Sequence, residues 1–345
     1  MRRSNLSDEL LTASYDYHLP KGHIASTPLY PRDSAKLLVY NRESKIITHT
    51  IFKNLLDFIP KSCEIFLNDT RVIKARIFGT KESGGKIELL FNKPIDAHLS
   101  LVMIRGRVKV GTTLTFLENL TAKVLELNGD GSRVVEFYHN DNSIRFEELV
   151  LILDKIGHIP LPPYMQREDR VEDKRDYQTL FAENAGAVAA PTASLHFTPE
   201  LFQELQDRYN THKITLHIGA GTFKPVETEH ILEHPMHSEY FNIPDDSKEV
   251  IESSKPILAI GTTVTRTVEY YAREGIGRGE CDLFLNPQNR PIRVKHLLTN
   301  FHLPKSTLIM LVSSFIGREE TLKIYQEAID NNYRFFSYGD AMLVI

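Results

Sequence analysis

Cysteine and long apolar runs are both scarce in this chain, and each absence narrows the class of protein. Of 345 residues only 2 are cysteine, Cys63 and Cys281. Both lie in apolar, strand-like runs and neither has a partner at metal-ligand spacing, so we expect buried, reduced thiols in a cytoplasmic protein. The longest apolar run, 308–316, fits a core helix and is far shorter than the ~18 residues that a membrane span needs.

Neither sign of charge is in large excess. A formal net charge of -4 gives no general attraction for nucleic acid, but phosphate contacts need only a local basic patch. The candidate residues for such a patch are Arg71, Lys74, Arg76, Lys81, Lys86, Arg105, Arg107 and Lys109. The alternative is that they are separate solvated charges on strand faces. Near the start, Asp8 and Glu9 stand where a secretory signal would be apolar, so we expect no such signal.

The spacing of apolar runs and turns indicates two kinds of architecture. Short strand candidates between 70 and 152, separated by glycine-rich turns, predict a small antiparallel β-barrel. Before and after them, helices alternate with short apolar strands, including a helix over 173–183 and a strand over 282–285. This pattern is typical of α/β domains. We therefore predict a layered α/β domain formed by both chain ends (1–69 and 153–345), with an inserted small antiparallel β-barrel domain (70–152).

The segment 298–307 is the most informative in the chain. It places Asn300, His302, Ser306 and Thr307 in one short loop before the apolar run. Pro304 disfavours helix at the preceding residue, and Ser306 or Thr307 can cap a helix that begins just after it. The sequence therefore predicts a polar loop held rigidly at the start of a buried helix, a common way of presenting side chains to a small molecule.

Similar polar or small-residue loops follow other predicted strands. They are Asn68-Asp69-Thr70-Arg71, the run 186–198 that ends in Leu195-His196-Phe197-Thr198, His217-Ile218-Gly219-Ala220-Gly221-Thr222-Phe223, and Met236-His237-Ser238-Glu239. Together, and in this order, these segments resemble the S-adenosylmethionine:tRNA ribosyltransferase-isomerases of queuosine synthesis. The resemblance runs from Tyr15-Asp16-Tyr17 to Phe335-Phe336-Ser337-Tyr338-Gly339-Asp340-Ala341-Met342.

The resemblance implies the same two-part fold and a specific activity. S-adenosylmethionine would donate its ribosyl group to 7-aminomethyl-7-deazaguanine in the tRNA anticodon, giving epoxyqueuosine, adenine and methionine. It implies no metal. Because no heptads or exposed apolar helix face are visible, we expect a monomer.

Such a reaction needs proton transfer, cationic and anionic partners, and faces on which a base can stack. We assign proton transfer to His302 and His196, and place His217 with them. Phe223 and Phe336 can flank a base. The residues expected to bind substrates are Asn68, Asp69, Arg71, Thr192, Phe197, Gly219, Gly221, Thr222, His237, Glu239, Thr262, Arg266, Asn300 and Phe301.

Several of these assignments have structural alternatives. His217 can be a core histidine, and Asp69 and Arg71 can be a simple ion pair. The helix start after Gly261 can bind an anion, either an amino-acid carboxylate or a tRNA phosphate, or it can be capped by Thr262 or Thr263. His230, His234 and His237 lack a zinc signature because Pro235 disfavours helix at His234, so we expect no metal there.

Two rival functions remain open at this stage. A nucleotide or nucleoside hydrolase can use the same histidines and would not need tRNA. A non-catalytic RNA-binding module would need only basic and aromatic residues, and the ordered loops rich in His, Asp, Glu and Asn speak against it. The chain also departs from the family pattern at Lys36, Ser194, His296 and the loop 286–290, which leaves the role of loop 286–296 open.

Overall fold

The computed structural model describes residues 8–223 and 225–345, and the side chains of Thr222 and Phe223 fall outside that description. The strands are β1 (Lys36–Tyr40), β2 (Ile47–Ile51), β3 (Glu64–Asn68), β4 (Thr70–Val72), β5 (Arg76–Lys81), β6 (Lys86–Pro94), β7 (Leu99–Arg105), β8 (Thr113–Thr115), β9 (Leu120–Leu127), β10 (Ser132–His139), β11 (Asn142–Ser143), β12 (Asn184–Ala187), β13 (Thr211–Leu216), β14 (Glu239–Asn242), β15 (Ile257–Ile260), β16 (Arg278–Cys281), β17 (Val294–Asn300) and β18 (Ala341–Val344). The α-helices are α1 (Phe146–Ile156), α2 (Asp173–Asp176), α3 (Pro199–Arg208), α4 (Asp245–Glu252), α5 (Thr262–Glu274), α6 (Thr307–Ile316) and α7 (Arg318–Asp330).

Both ends of the chain contribute strands to one mixed sheet. Among the described residues its order is β16-β14-β13-β3-β15-β17-β18-β1-β2. The central strands β13, β3, β15 and β17 run parallel to one another. Their carboxyl ends therefore lie along the same edge of the sheet, where ligands bind in α/β folds.

Side chains of the central strands alternate between two apolar cores, one on each face of the sheet. Phe66 packs in one core, whereas its neighbours Ile65 and Leu67 pack in the other. The same alternation separates Leu297 from Leu298. Because successive side chains of a strand point to opposite faces, a sheet covered on both sides needs strands that are apolar throughout.

The inserted segment closes into a barrel. Strands β10, β7, β6, β5, β8 and β9 pair in that order, and β9 pairs back with β10, so the described part of this segment leaves no open edge between them. Helix α1 packs Leu149 and Leu153 against the barrel interior. The predicted fold class is thus confirmed, while the boundaries 1–69, 70–152 and 153–345 stay a prediction.

Two predicted elements are wrong. The helix expected over 173–183 ends at Asp176, because Gln178 pairs both its side-chain polar atoms with the backbone of Val72 at 3.0 and 3.2 Å. The strand expected over 282–285 lies instead at Arg278–Cys281. Beyond the strand, the carbonyl of Leu283 accepts a hydrogen bond from the Arg266 guanidinium at 3.0 Å.

The atypical loop before β17 is firmly anchored. The buried carboxylate of Glu269 accepts the backbone N–H groups of Ile292, Arg293 and Val294 at 2.7 to 2.8 Å. Asn289 accepts a hydrogen bond from Arg273 at 2.6 Å. These contacts fix the path of the chain into β17, the strand that carries the polar loop.

Candidate functional site at the carboxyl edge of the sheet

A cavity opens where the polar loop after β17 meets the small-residue run before α3. The space within it and its open mouth amounts to about 700 Å³. Its walls are formed by Tyr164, Ala189, Ala190, Pro191, Thr192, Ala193, Ile218, Gly261, Thr262, Thr263, Thr299, Asn300, His302, Leu303, Ser306, Leu308, Phe336 and Ser337. Of the residues predicted to form the site, His302, Thr192, Thr262 and Asn300 line this cavity.

His302 is held from three sides at the cavity wall. Its Nε2 lies 2.8 Å from Thr299 Oγ1, its backbone N–H donates to the Tyr325 hydroxyl at 3.2 Å, and its carbonyl accepts from the Tyr17 hydroxyl. Burial lowers the pKa of His302 to about 3. The imidazole is therefore neutral at pH 7 and can accept a proton.

His196 reaches the cavity only through Asn300. The Thr192 hydroxyl donates to Asn300 Oδ1 at 2.8 Å, which orients the amide so that Nδ2 donates to His196 Nε2 at 3.2 Å. Burial, with smaller contributions from Arg334 and Arg32, lowers the pKa of His196 to about 3. The neutral ring thus serves as an acceptor that fixes an amide on the cavity wall.

Helix α6 begins as the sequence predicts. Ser306 has extended backbone angles, and its hydroxyl oxygen accepts the N–H of Ile309 at 3.3 Å while donating to the Leu303 carbonyl at 2.8 Å. This is an N-cap that also fastens the polar loop to the helix.

The amino end of helix α5 faces the same cavity. Gly261 precedes it with φ 103°, a conformation that side-chain-bearing residues rarely adopt, and no side chain caps the helix. The capping alternative for Thr262 is therefore wrong, whereas the first-turn N–H groups, which lack intrahelical partners, lie beside the cavity wall. Asn68 Nδ2 approaches Thr263 Oγ1 at 3.3 Å and ties β3 to this helix start.

An aromatic pair that the sequence analysis only half identified forms another wall. Tyr164 and Phe336 stack with ring centroids 4.6 Å apart, and the Tyr164 hydroxyl is hydrogen-bonded to Ser337. Phe336 adopts φ 70°, rare for a residue with a side chain. The sequence signal for Tyr164 is weak: a single aromatic after Pro162 and Pro163, in a stretch that otherwise reads as a surface loop.

His217 and the β3 end lie outside the cavity lining. His217 Nδ1 is 2.7 Å from Thr70 Oγ1, and its ring packs so close to Gly186 that an added Cβ would stand 2.7 Å from Nε2. Burial lowers the pKa of His217 to about 4. Asp69 is buried and accepts hydrogen bonds from Thr215 and Asn184.

Asn68 and Arg71 lie in strands on either side of Asp69, at the end of β3 and in β4. Arg71 is half-buried in β4, opposite Ala185 of β12. Asn68 is fully buried and bonds to the backbone of Leu216 at 3.0 Å. Among the residues that the structure describes, Asp69 forms no ion pair with Arg71 and is bound by Thr215 and Asn184 instead, so the simple-pair alternative finds no support.

Arg266 and Glu239 pair with each other. Arg266 Nη1 lies 2.6 Å from Glu239 Oε2, both side chains are buried, and Glu239 Oε1 accepts the Gly219 N–H at 3.0 Å. Gly221 passes so close to His237 that an added Cβ would stand 2.8 Å from the ring. These five residues build a rigid support beside the cavity and do not line it.

One barrel residue that the sequence analysis missed reaches this support. Asn92 of β6 accepts the Ala220 N–H at 3.0 Å, and Lys93 beside it contacts Ser238 at 3.1 Å and Glu280 at 2.7 Å. The barrel is therefore fastened directly to the glycine loop after β13. No motif in the sequence distinguishes Asn92 from other polar strand residues.

The remaining residues predicted to bind substrates are packed in the apolar cores or have side chains outside the described part of the chain. Phe197 contacts Phe52 edge-on in one core, and Phe301 contacts Tyr325 and Tyr333 in the other. The side chain of Thr222 lies outside the described residues.

The described part of the chain contains neither a candidate metal cluster nor a membrane-crossing helix. Within residues 8–223 and 225–345, no three His, Cys, Asp or Glu side chains are grouped to hold a metal ion. No helix in the described part of the chain has the length and apolarity to cross a membrane.

Comparison with known proteins agrees with this architecture over nearly the whole chain. A family model described as a queuosine biosynthesis protein matches residues 12–344. Proteins named S-adenosylmethionine:tRNA ribosyltransferase-isomerase are similar: that of Aliarcobacter butzleri is 63% identical over 98% of this chain and 99% of its own, and that of Campylobacter jejuni is 58% identical over 99% and 100%. The crystal structure of the S-adenosylmethionine tRNA ribosyltransferase from Thermotoga maritima matches with a TM-score of 0.53 at 30% identity, covering 96% of this chain and 100% of that chain. The chain belongs to the queuosine biosynthesis family of S-adenosylmethionine:tRNA ribosyltransferase-isomerases.

Proposed function

We propose that this protein transfers and isomerises the ribosyl group of S-adenosylmethionine onto 7-aminomethyl-7-deazaguanine in tRNA. The aminomethyl nitrogen becomes bonded to the rearranged sugar, and adenine and methionine leave. Family membership supports this reaction. The observation that supports a particular location for the reaction is the cavity at the carboxyl edge of the sheet, with His302 on its wall.

The chemistry calls for a base beside a positively charged donor. The sulfonium acidifies the neighbouring ribose carbon, and a positioned base must remove a proton there. We assign this proton transfer to His302, because its imidazole is neutral and lines the cavity. His196 is assigned a positioning role, since it does not line this cavity and reaches it only through the Asn300 amide.

The walls of the cavity also suit the two ends of the donor. The first turn of α5 can hold the methionine carboxylate, because helix amino ends favour anions. The stacked Tyr164 and Phe336 rings, 4.6 Å apart, offer an aromatic face to adenine. We place the donor between these two walls, with its ribose next to His302.

Replacing the two histidines separates these roles. His302→Gln should lower turnover at least ~100-fold, the low end for general acid–base catalysis. His196→Gln keeps an acceptor for the Asn300 amide and should cost less, whereas His196→Leu removes that acceptor. Near-normal turnover of folded His302→Gln would refute the assignment, and equal losses in both glutamine variants would refute the division of roles.

The activity itself is tested with S-adenosylmethionine and tRNA that carries 7-aminomethyl-7-deazaguanine. Release of adenine and methionine, with the tRNA base heavier by a cyclised ribosyl group, is the expected result. Turnover of free nucleosides without tRNA would favour a hydrolase. Binding of tRNA without any release would favour a non-catalytic RNA-binding module.

The proposed reaction involves no metal, because the charge that activates the ribose carbon is on the sulfonium itself. Turnover should therefore survive removal of divalent metals with EDTA, and a loss restored by added metal would contradict this. We further propose a monomeric, cytoplasmic enzyme; the cytoplasmic location is supported by its two free, buried cysteines, Cys63 and Cys281. Light scattering of the purified protein tests the oligomeric state.

A further inference from the structure

A second, smaller cavity lies on the far side of His196. It encloses about 220 Å³, the open mouth included, and its wall contains two guanidinium groups, Arg32 and Arg334. Ser337 lines both cavities, and the hydrogen bond from Asn300 to His196 spans the wall between them. The small cavity is thus a direct neighbour of the proposed reaction site.

The three guanidinium groups near this cavity share few acidic partners. Arg32 and Arg175 share a single carboxylate oxygen of Asp176, at 3.2 and 3.0 Å, and Arg32 also donates to the carbonyls of Leu195 and Arg175 at 2.9 and 3.3 Å. Arg334 donates to the carbonyls of Thr27 and Tyr338 at 3.2 and 2.8 Å. Its Nε is buried without a hydrogen-bond partner, 4.0 Å from the nearest carboxylate oxygen, that of Asp340.

An exposed aromatic ring stands at the edge of this group. Tyr30 is 59% exposed, directly between Leu29 and the segment that carries Arg32. The Arg175 guanidinium lies 5.5 Å from the centre of the ring and donates to the Tyr30 hydroxyl at 3.0 Å. The ring is therefore held in place while much of it remains open to solvent.

We propose that Tyr30, Arg32, Arg175 and Arg334 form a subsite for the nucleotide next to the modified base in the tRNA anticodon loop. The base stacks on Tyr30, and its phosphate is held by the guanidinium groups of Arg32, Arg175 and Arg334. Proteins bind single-stranded nucleic acid by this combination of aromatic faces and a positive groove. The proposal rests on the proposed function, because it takes the large cavity to be the site of the modified base.

The phosphate of tRNA suits this place better than the carboxylate of the donor. The small cavity opens beside an exposed ring on the surface, whereas the donor has its own anion site at the amino end of α5. His196 and Ser337 also separate the small cavity from the large one. An aromatic residue at the mouth can stack on a base, whereas an amino-acid group has no flat face to stack on it.

Direct binding of tRNA to the full chain tests the subsite independently of catalysis. Tyr30→Leu should weaken tRNA binding about 5- to 100-fold, the effect of losing one base–aromatic stack, while Tyr30→Phe should retain it. Arg175→Gln and Arg334→Gln should each weaken binding, and the double variant should reduce the slope of log affinity against log salt by about 0.7, the value for one phosphate contact on a single strand. The matched control is Arg278→Gln, which removes a guanidinium that lies 5.8 Å from the centre of the Tyr240 ring and lines neither of the two cavities.

The outcomes are distinguishable. Unchanged tRNA affinity in Tyr30→Leu and Arg175→Gln would overturn the subsite even if Arg334→Gln fails to fold, because both of these side chains are exposed. An increase in KM for S-adenosylmethionine with unchanged tRNA affinity would assign the cavity to the donor carboxylate and would also overturn it. If the wild-type protein binds tRNA but releases no adenine, the proposed function fails while the binding comparison still decides the subsite.

Discussion

Lowering the pH from 7 to about 5 should destabilise this protein through its buried neutral histidines. His302 and His196 are 8% and 5% exposed, and burial lowers the pKa of each to about 3. In the unfolded chain a histidine titrates near pH 6.5. Because the folded pKa lies below the unfolded one, protons bind the unfolded state first as the pH falls through about 6.5, and stability is lost from there down to about pH 3.

The size of the effect follows from the same values. Each pH unit in this window costs about 1.4 kcal/mol for each histidine, so about 2 kcal/mol is lost for each between pH 7 and about pH 5. The loss for the pair is about 4 kcal/mol, a large part of a typical folding free energy of about 5–15 kcal/mol. Stability should be nearly independent of these two groups above pH 7.

Urea unfolding at the two pH values, on wild type and His302→Gln, isolates one histidine. The variant should lose about 2 kcal/mol less than wild type between pH 7 and about pH 5, because glutamine has no proton to gain. Thr299→Val is the matched control: it removes the hydroxyl 2.8 Å from Nε2 but keeps the titrating ring, so its pH dependence should persist. The same loss in wild type and His302→Gln would refute the claim that this imidazole is buried in its neutral form.

Two further predictions concern the loop cap and the barrel surface. Ser306→Ala should destabilise the protein by about 1 kcal/mol and also reduce turnover, because Ser306 caps α6 and lines the cavity. The control is Thr198→Ala, which removes the cap of α3, where the Thr198 hydroxyl accepts the N–H of Leu201 at 3.2 Å. It should cost similar stability in urea unfolding and leave turnover intact. If both variants lose turnover equally, the loop has no special role. Reversing the exposed charges with Arg105→Glu and Arg107→Glu should weaken tRNA binding and its salt dependence in filter binding, and unchanged affinity would reject the barrel as a tRNA platform.

The polar ends of the parallel strands were predictable from the sequence because backbone geometry places them. Asn68, His217, Thr262 and Asn300 each end a short apolar run or follow it at once, and parallel pairing must bring such ends to one edge of a sheet. The helix cap at Ser306 was predictable for a similar reason, since proline and serine act on the chain within a few residues. Local rules therefore gave the sheet edge and the loop that lines the cavity.

Side chains delivered from distant segments were not predictable in this way. Tyr164 meets Phe336 and Ser337 across about half the chain, and Asn92 of the barrel strand β6 meets Ala220 in the loop after β13. Nothing near these residues in the sequence constrains such pairings, because they depend on how the loops pack over the sheet. The aromatic wall and the link to the barrel thus required the tertiary structure.

Charged residues in the predicted loops were the least reliable guides to a binding role. Arg266 and Glu239 have the types of side chain that bind a carboxylate or an ammonium group, yet they are 5% and 2% exposed and lie 2.6 Å apart. A buried charge without a partner is very costly, so two such groups in one interior pair with each other before either can serve a ligand. His302, whose burial removes its charge instead, meets no such demand and remains available to a substrate. Burial, which the sequence does not state residue by residue, therefore decides which polar loop residues line the site and which only support it.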